Sequence, residues 1–251
     1  MTTVLITGAS SGLGAEMARQ MAALGHDLAL AARRTGRLEE LRDEIENAHP
    51  ECRVEIRALD VNNDDQVFEV FRAFRDDFGT IDRIIVNAGL GKGAPIGTGR
   101  YDANKATAMT NFVAALAQCE AAMEIFRAQK AGHLVMISSM SAMRGMPKTI
   151  TTYAATKAGV AALAEGIRHE MAGEPGLAID VSVIYPGYIR SEMNEHVKKP
   201  MPFMVDTPTG VAAMVEAIEK RKPHARVPSW PWVPMGTVLR HAPLPVVRKL
   251  T

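Results

Sequence analysis

Tyr153 and Lys157 stand four residues apart in Tyr153-Ala154-Ala155-Thr156-Lys157. On a helix that step puts both side chains on one face. The chemistry such a pair offers is proton transfer. A free phenol has a pKa of about 10 and exchanges protons poorly at neutral pH. A neighbouring ammonium favours the phenolate and is expected to lower that value, each unit representing about 1.4 kcal/mol of differential stabilisation. Tyr153 would then give a proton to a nascent alkoxide or take one from an alcohol. A Tyr–Lys pair by itself also fits a decorated helix surface, so the rest of the chain must supply the second reactant.

The amino-terminal region points to that reactant. Gly8-Ala9-Ser10-Ser11-Gly12-Leu13-Gly14 follows an apolar run and opens a helical one. Glycines at a strand-to-helix turn permit the tight bend and let backbone N–H groups approach a pyrophosphate at the helix N-terminus. The glycines alone are a weak signal, and their spacing differs from the commoner G-x-G-x-x-G. Their position in the first strand–helix–strand unit is what marks a dinucleotide site. The second strand ends Ala31-Ala32-Arg33-Arg34. An NAD site carries a carboxylate near here for the ribose 2′-hydroxyl, whereas Arg33 and Arg34 suit a 2′-phosphate through charge-assisted, often bidentate hydrogen bonds. NADP(H) is therefore expected in preference to NAD(H), with a solvated basic strand end as the bland alternative. Asp60, preceding Val61 at the end of the third strand, would accept from the adenine amino group. Asn87-Ala88-Gly89 at the end of the fourth would let the chain pass close to the adenosine. The positive charge of an oxidised nicotinamide would add to the pull on the Tyr153 proton.

These residues need a scaffold, and the apolar patterning supplies one. Strands are expected at Thr3–Thr7, Asp27–Ala31, Val54–Leu59, Ile84–Asn87, His133–Ser138 and Ile179–Ile184. Helices are expected at Leu13–Leu24, Arg37–Asn47, Asp64–Phe78, Ala103–Gln129, Thr152–Met171 and Thr209–Arg221. Strands alternating with helices of this length imply βαβ units, and strands that are apolar nearly throughout imply a parallel sheet covered on both faces. This is an α/β chain, read as one domain over 1–251. Residues 192–208 form a weakly periodic segment expected as a loop or small mobile helices. Residues 228–251 form a proline-rich tail, expected to lack a continuous helix and to pack on its own domain or a second subunit.

Taken together the motifs resemble the short-chain dehydrogenase/reductase family over residues 3–190. The resemblance rests on Thr7-Gly8-x-x-x-Gly12-x-Gly14, Asn87-Ala88-Gly89, Ile137-Ser138-Ser139, Tyr153-x-x-x-Lys157 and Pro186-Gly187, all in the family's order. It implies a single-domain, Rossmann-like, doubly wound sheet of about seven strands, an assembly of two or four subunits, and an Asn-Ser-Tyr-Lys catalytic tetrad. The tetrad maps onto Asn111, Ser139, Tyr153 and Lys157. The serine needs a choice, because Ser139 lies 14 residues before Tyr153 (153 − 139) and Ser141 lies 12 before it (153 − 141), on either side of the family's usual spacing. Ser139 ends the fifth strand and is preferred, with one extra residue placed in Lys148–Thr152; Ser141 is the alternative. By the resemblance, Ser139 would polarise the substrate oxygen and Asn111 would hold a water linking Lys157 to solvent. After Pro186-Gly187-Tyr188-Ile189-Arg190 the family's usual threonine is Ser191, which with Ile189 would reach the nicotinamide carboxamide. Val86 replaces the family's first asparagine before Asn87.

The family's substrate cleft would be formed here by Leu90–Gly99, Met140–Met146 and Glu192–Pro208. Ser139, Met140, Tyr153, Tyr188 and Met193 are the expected substrate contacts, with Met143, Met146, Met201, Phe203 and Met204 nearby. Methionines make an apolar, adaptable wall, which favours a lipophilic ketone, aldehyde or secondary alcohol over a sugar phosphate. Gly91, Gly93, Gly97 and Gly99 suggest a mobile loop acting as a lid.

Composition narrows the remaining classes. The net charge is +1, so there is no basic footprint for nucleic acid. Two cysteines, Cys52 and Cys119, are too few for a disulfide framework and lack metal-ligand spacing. No signal peptide or spanning segment is read, which leaves a cytoplasmic setting as the expectation; membrane contact through the tail is disfavoured. The rival to an enzyme is a non-catalytic NADP-binding sensor on the same fold.

Overall fold

Most strand residues in this chain are aliphatic, and the central strands are buried on both faces. The computed structural model describes residues 2–91, 93–194 and 201–250. Seven strands form a single sheet: β1 Thr3–Thr7, β2 Asp27–Ala32, β3 Val54–Ala58, β4 Arg83–Val86, β5 Ala131–Ile137, β6 Ala178–Pro186 and β7 His224–Val227, in the order β3-β2-β1-β4-β5-β6-β7. Every neighbouring pair is parallel. Between them run α1 Gly12–Ala23, α2 Thr35–Ala48, α3 Asp64–Phe78, α4 Tyr101–Ala108, α5 Ala114–Gln129, α6 Thr151–Ala172 and α7 Thr207–Glu219. Alternate strand residues feed two cores. Val4 and Ile6 meet α1, α2 and α7 on one face, and Leu5 meets α3, α5 and α6 on the other. This is the doubly wound α/β sheet that the sequence led one to expect, seven strands included.

The chain leaves β1 in one lateral direction and returns to place β4 on the other side. That reversal opens a crevice outside the carboxyl ends of β1 and β4, where ligands of such sheets bind. Gly8 follows one of these ends and Asn87 the other. Thr7 joins them. Its Oγ1 accepts from the backbone N–H groups of Asn87 (3.1 Å) and Ala88 (3.2 Å), and Asn87 Nδ2 donates to Thr7 O (2.9 Å).

Three expectations need correction. The single helix expected over Ala103–Gln129 is α4 and α5 joined through a wider π-type turn, Met109–Val113. The patterning placed no strand at His224–Val227, where β7 lies. The tail is helical: α8 Ser229–His241 and α9 Leu244–Leu250. Prolines are tolerated there because Trp230 is extended (φ −100, ψ 131). The regular turn thus starts at Pro231, where no intrahelical donor is required, and Pro234 finds no helical carbonyl four residues back to clash with. Leu239 and Val247 pack on Met146 and Ala154, so the tail covers its own chain. Among the described residues no helix is long and apolar enough to cross a membrane. Cys52 and Cys119 are buried and unpaired, and burial pushes their thiols up to about 11 and about 12.

Candidate active site

The glycine turn is shaped for an anion. Gly8 (φ +66) and Gly12 (φ +55) take left-handed conformations, which side chains disfavour. A Cβ on Gly14 would collide with the Gly8 carbonyl, so glycine there lets α1 approach the end of β1. The N-cap of α1, Ser11, makes no side-chain capping bond, and no acidic residue occupies the first turn. Its leading N–H groups are therefore left to an external acceptor, at the positive end of the helix dipole. A dinucleotide pyrophosphate fits that cradle.

Beyond the turn, Arg34 donates from Nε to Ser10 Oγ (3.2 Å) and from Nη2 to Ser11 Oγ (2.5 Å). Two residues that sequence reasoning did not select join it. Arg37, one turn along from Arg34, and Arg34 itself both pair with the carboxylate of Glu192. The three-residue step on a helix was a signal that could have revealed Arg37; Glu192, on the segment after β6, carried none. Arg33 is exposed beside this group. Asp60 accepts from Asn62 N and Nδ2 (both 3.1 Å). Val61 is buried, and Asn62 Oδ1 accepts from Thr110 Oγ1 (3.1 Å), tying that turn to the α4–α5 junction. On the segment after β6, Ser191 faces the glycine turn, its Cβ 3.5 Å from where a Cβ on Gly12 would stand. Ile189 is buried against Gly210 of α7.

The residues expected to transfer the proton gather at the end of β5. Ser138 Oγ donates to Lys157 O (2.7 Å), locking the strand end to α6. Lys157, 6% exposed, donates from Nζ to Ile137 O (2.8 Å) and lies 5.8 Å from the centroid of the Tyr153 ring. Ser139 is extended and its Oγ accepts from Ser141 N (3.2 Å). Of the two candidate serines, Ser139 is the one whose proximity lowers the Tyr153 phenol. Lys148 (φ +62) stands in a short turn, Lys148–Ile150, inside the stretch expected to carry the extra residue. Asn111, in the π-type turn, accepts from Leu90 N (2.7 Å) and donates to Leu90 O (2.9 Å). Gly89 is where Asn111 and Lys157 meet, because a Cβ there would lie 3.3 Å from Asn111 Oδ1 and 3.6 Å from Lys157 Nζ.

The expected lowering of the phenol by Lys157 is corrected. Burial pushes Tyr153 up, and the opposing contribution is the Ser139 hydrogen bond. Lys157 is itself desolvated, which brings it down to about 8. Among the protein's own groups, desolvation outweighs attraction between the pair.

Residues expected to wall a substrate cleft divide between surface and core. Met193, 51% exposed, folds over Gly91, where a Cβ would strike its side chain. Met140 and Met146 are buried. Tyr188 stands edge-on to Trp232 with ring centroids 5.1 Å apart. Gly91 and Gly93 serve close packing rather than freedom: a Cβ on Gly93 would collide with Thr149 O, and Asn104 clamps Ala94 through both of its backbone groups. Residues 195–200 of the expected substrate segment lie outside the described residues.

A family model described as short chain dehydrogenase matches residues 2–202. An uncharacterised oxidoreductase of Mycobacterium tuberculosis is 50% identical over 246 residues, 98% of this chain and 96% of the relative. A short-chain dehydrogenase from Sphingobium yanoikuyae in complex with NADPH is similar in structure, with a TM-score of 0.82 and 25% identity over 99% of this chain and 94% of its own. The bulky-bulky ketone specific alcohol dehydrogenase from Comamonas testosteroni has a TM-score of 0.78 and 26% identity over 95% and 92%. With its doubly wound sheet and its glycine turn at the switch point, the chain belongs to the short-chain dehydrogenase/reductase family of oxidoreductases.

Proposed function

We propose that this oxidoreductase uses NADP(H) to interconvert a lipophilic ketone or aldehyde with its alcohol. The observation that carries the reading is the half-buried Tyr153, with Ser139 beside it and Lys157 Nζ 5.8 Å from its ring centroid. When bound, the nicotinamide supplies or accepts the hydride at the carbinol carbon. Tyr153 Oη gives its proton to the carbonyl oxygen in reduction and takes one from the alcohol in oxidation. The Ser139 hydroxyl donates to the same oxygen and polarises it. Lys157, mostly protonated at neutral pH, favours the phenolate left behind, and Asn111 fixes the Leu90 backbone beside it.

Gly8, Gly12 and Gly14 would hold the pyrophosphate, Arg34 and Arg37 the 2′-phosphate, and Asp60, Val61 and Asn87–Gly89 the adenosine. Pro186, Gly187, Ile189 and Ser191 would hold the nicotinamide. The preference for NADP(H) is supported by the Glu192 carboxylate, an anion held by Arg34 and Arg37 beside the glycine turn. The NADPH bound by the Sphingobium enzyme and the bulky ketones taken by the Comamonas enzyme agree with this reading. NADPH oxidation with bulky lipophilic ketones is the test. Tyr153→Phe should bind NADPH as wild type does and lose about 10²–10⁴-fold in kcat; a variant turning over as fast as wild type would remove Tyr153 from the mechanism.

A further inference from the structure

Folded proteins pair their buried polar groups, and an unpartnered one bears its full desolvation cost. Four side-chain polar atoms are buried without a hydrogen-bond partner among the described residues, and two of them, Trp232 Nε1 and Ser141 Oγ, belong to elements that flank the catalytic group. Trp232, 5% exposed, lies against Gly187, where any Cβ would collide with its indole at Cε2 and Nε1. The glycine directly after Pro186 thus admits an N–H-bearing ring edge to the wall on which the nicotinamide would rest. One helical turn further, Gly236 abuts Met140, whose Cε would stand 2.8 Å from a Cβ placed there. Residues 232 and 236 share one face of α8, so this face runs from Gly187 to the residue that follows Ser139. Ser141 is held next to Ser139 by its backbone N–H, which leaves its hydroxyl unengaged. Tyr188, 43% exposed, closes the outer side of the indole.

An apolar wall with a few fixed polar groups is the ordinary composition of a small-molecule pocket. An indole N–H donates only, so it recognises an acceptor and not an ammonium. We propose that Trp232 Nε1–H and the Ser141 hydroxyl form a second polar subsite that reads an acceptor oxygen remote from the reacting carbonyl. The preferred substrates are then lipophilic ketones carrying a second oxygen, such as diketones and hydroxyketones. This deepens the carbonyl-reductase reading and rests on it.

The test compares matched probes with NADPH: benzil against deoxybenzoin, and dibenzoylmethane against dihydrochalcone. The diketone-to-monoketone ratio of kcat/KM is taken relative to wild type, which cancels the greater intrinsic reactivity of the diketones. In Trp232→Phe, which keeps an aromatic ring and removes the N–H, the ratio should fall about tenfold for at least one pair, the size of one hydrogen bond to a buried donor. In Ser141→Ala it should fall about threefold. Ratios unchanged in both variants, with unfolding midpoint and NADPH affinity as in wild type, overturn the subsite. Should Trp232→Phe fail to fold, the Ser141→Ala ratio decides alone. If wild type reduces none of the probes, the carbonyl-reductase reading fails. Calorimetric titration of benzil and deoxybenzoin into wild type with NADP+ then tests the subsite separately: tighter benzil binding supports it and equal affinities overturn it.

Discussion

Arg34 reaches Glu192 across 158 residues of sequence, guanidinium to carboxylate at 3.2 Å, while its Nε donates to Ser10 and its Nη2 also to Ser11. The acid thereby occupies the cationic corner in which a 2′-phosphate would be neutralised, and its own pKa is lowered, first by Arg37 and further by Ser11 and Arg34. Both partners are close to half exposed, so the ion pair is worth little in stability. Its consequence is competition. Glu192→Gln should tighten NADP+ roughly two- to fivefold and shift NAD+ far less, read by titration of each cofactor. NADP+ binding that weakens or stays level would show that Glu192 does not compete.

Removing the cations should act in the opposite direction. Arg34→Ala/Arg37→Ala is expected to weaken NADP+ by about one to two orders of magnitude, as charge-assisted hydrogen bonds to a phosphate are lost, and to bring the two cofactors close to equal. Arg33→Ala should do less, since Arg33 is exposed and its neighbour makes the contacts to the glycine turn. Equal NADP+ and NAD+ affinity in wild type would reject the preference outright.

The sheet and the glycine turn were legible because the same residues satisfy local and global demands. The central strands β1, β2, β4 and β5 are mostly apolar and buried on both faces, and the turn needs glycine where φ is positive. β7 escaped notice because it is a four-residue edge strand, His224-Ala225-Arg226-Val227, in which only Ala225 and Val227 are buried. α8 escaped because its prolines read as helix breakers, yet extended Trp230 puts the start of the regular helix at the first of them, Pro231. Trp232 was therefore not placed beside Gly187 and Tyr188. The direction of the Tyr153 shift was misjudged for a different reason. Spacing reveals which groups are neighbours, whereas desolvation depends on everything packed around them.

Asn111 tests how the tetrad is supported. Its amide meets both backbone groups of Leu90 and is 1% exposed. Asn111→Ala should leave Leu90 unsatisfied and cost about 1–3 kcal/mol in thermal or urea unfolding. It should also lower kcat with little change in cofactor affinity, because Gly89 and Lys157 lose their neighbour while the glycine turn does not. A variant as stable as wild type would show that the loop finds other partners.

A second buried polar group lies at the opposite end of the sheet. Arg83 donates from Nε to His133 Nδ1 (3.1 Å), which places the ring proton on Nε2, 2.8 Å from Ser182 Oγ. Arg83 also pairs with Glu219, which His26 reaches at 3.2 Å. Burial above all, then the charges of Arg83 and Arg221, bring His133 down to about 3. The folded state thus holds this imidazole neutral, while the unfolded chain protonates it near pH 6.5. Below that value the unfolded state binds the additional proton, so the His133 contribution is fully present above pH 6.5. It is lost as the pH falls toward about 3, by up to about 1.4 kcal/mol per pH unit. Urea midpoints measured from pH 7.5 to 5 should decline for wild type below 6.5 and decline less for His133→Gln, which keeps one donor and one acceptor without titrating. Parallel declines in the two proteins would mean that other groups, not this histidine, set the acid limit.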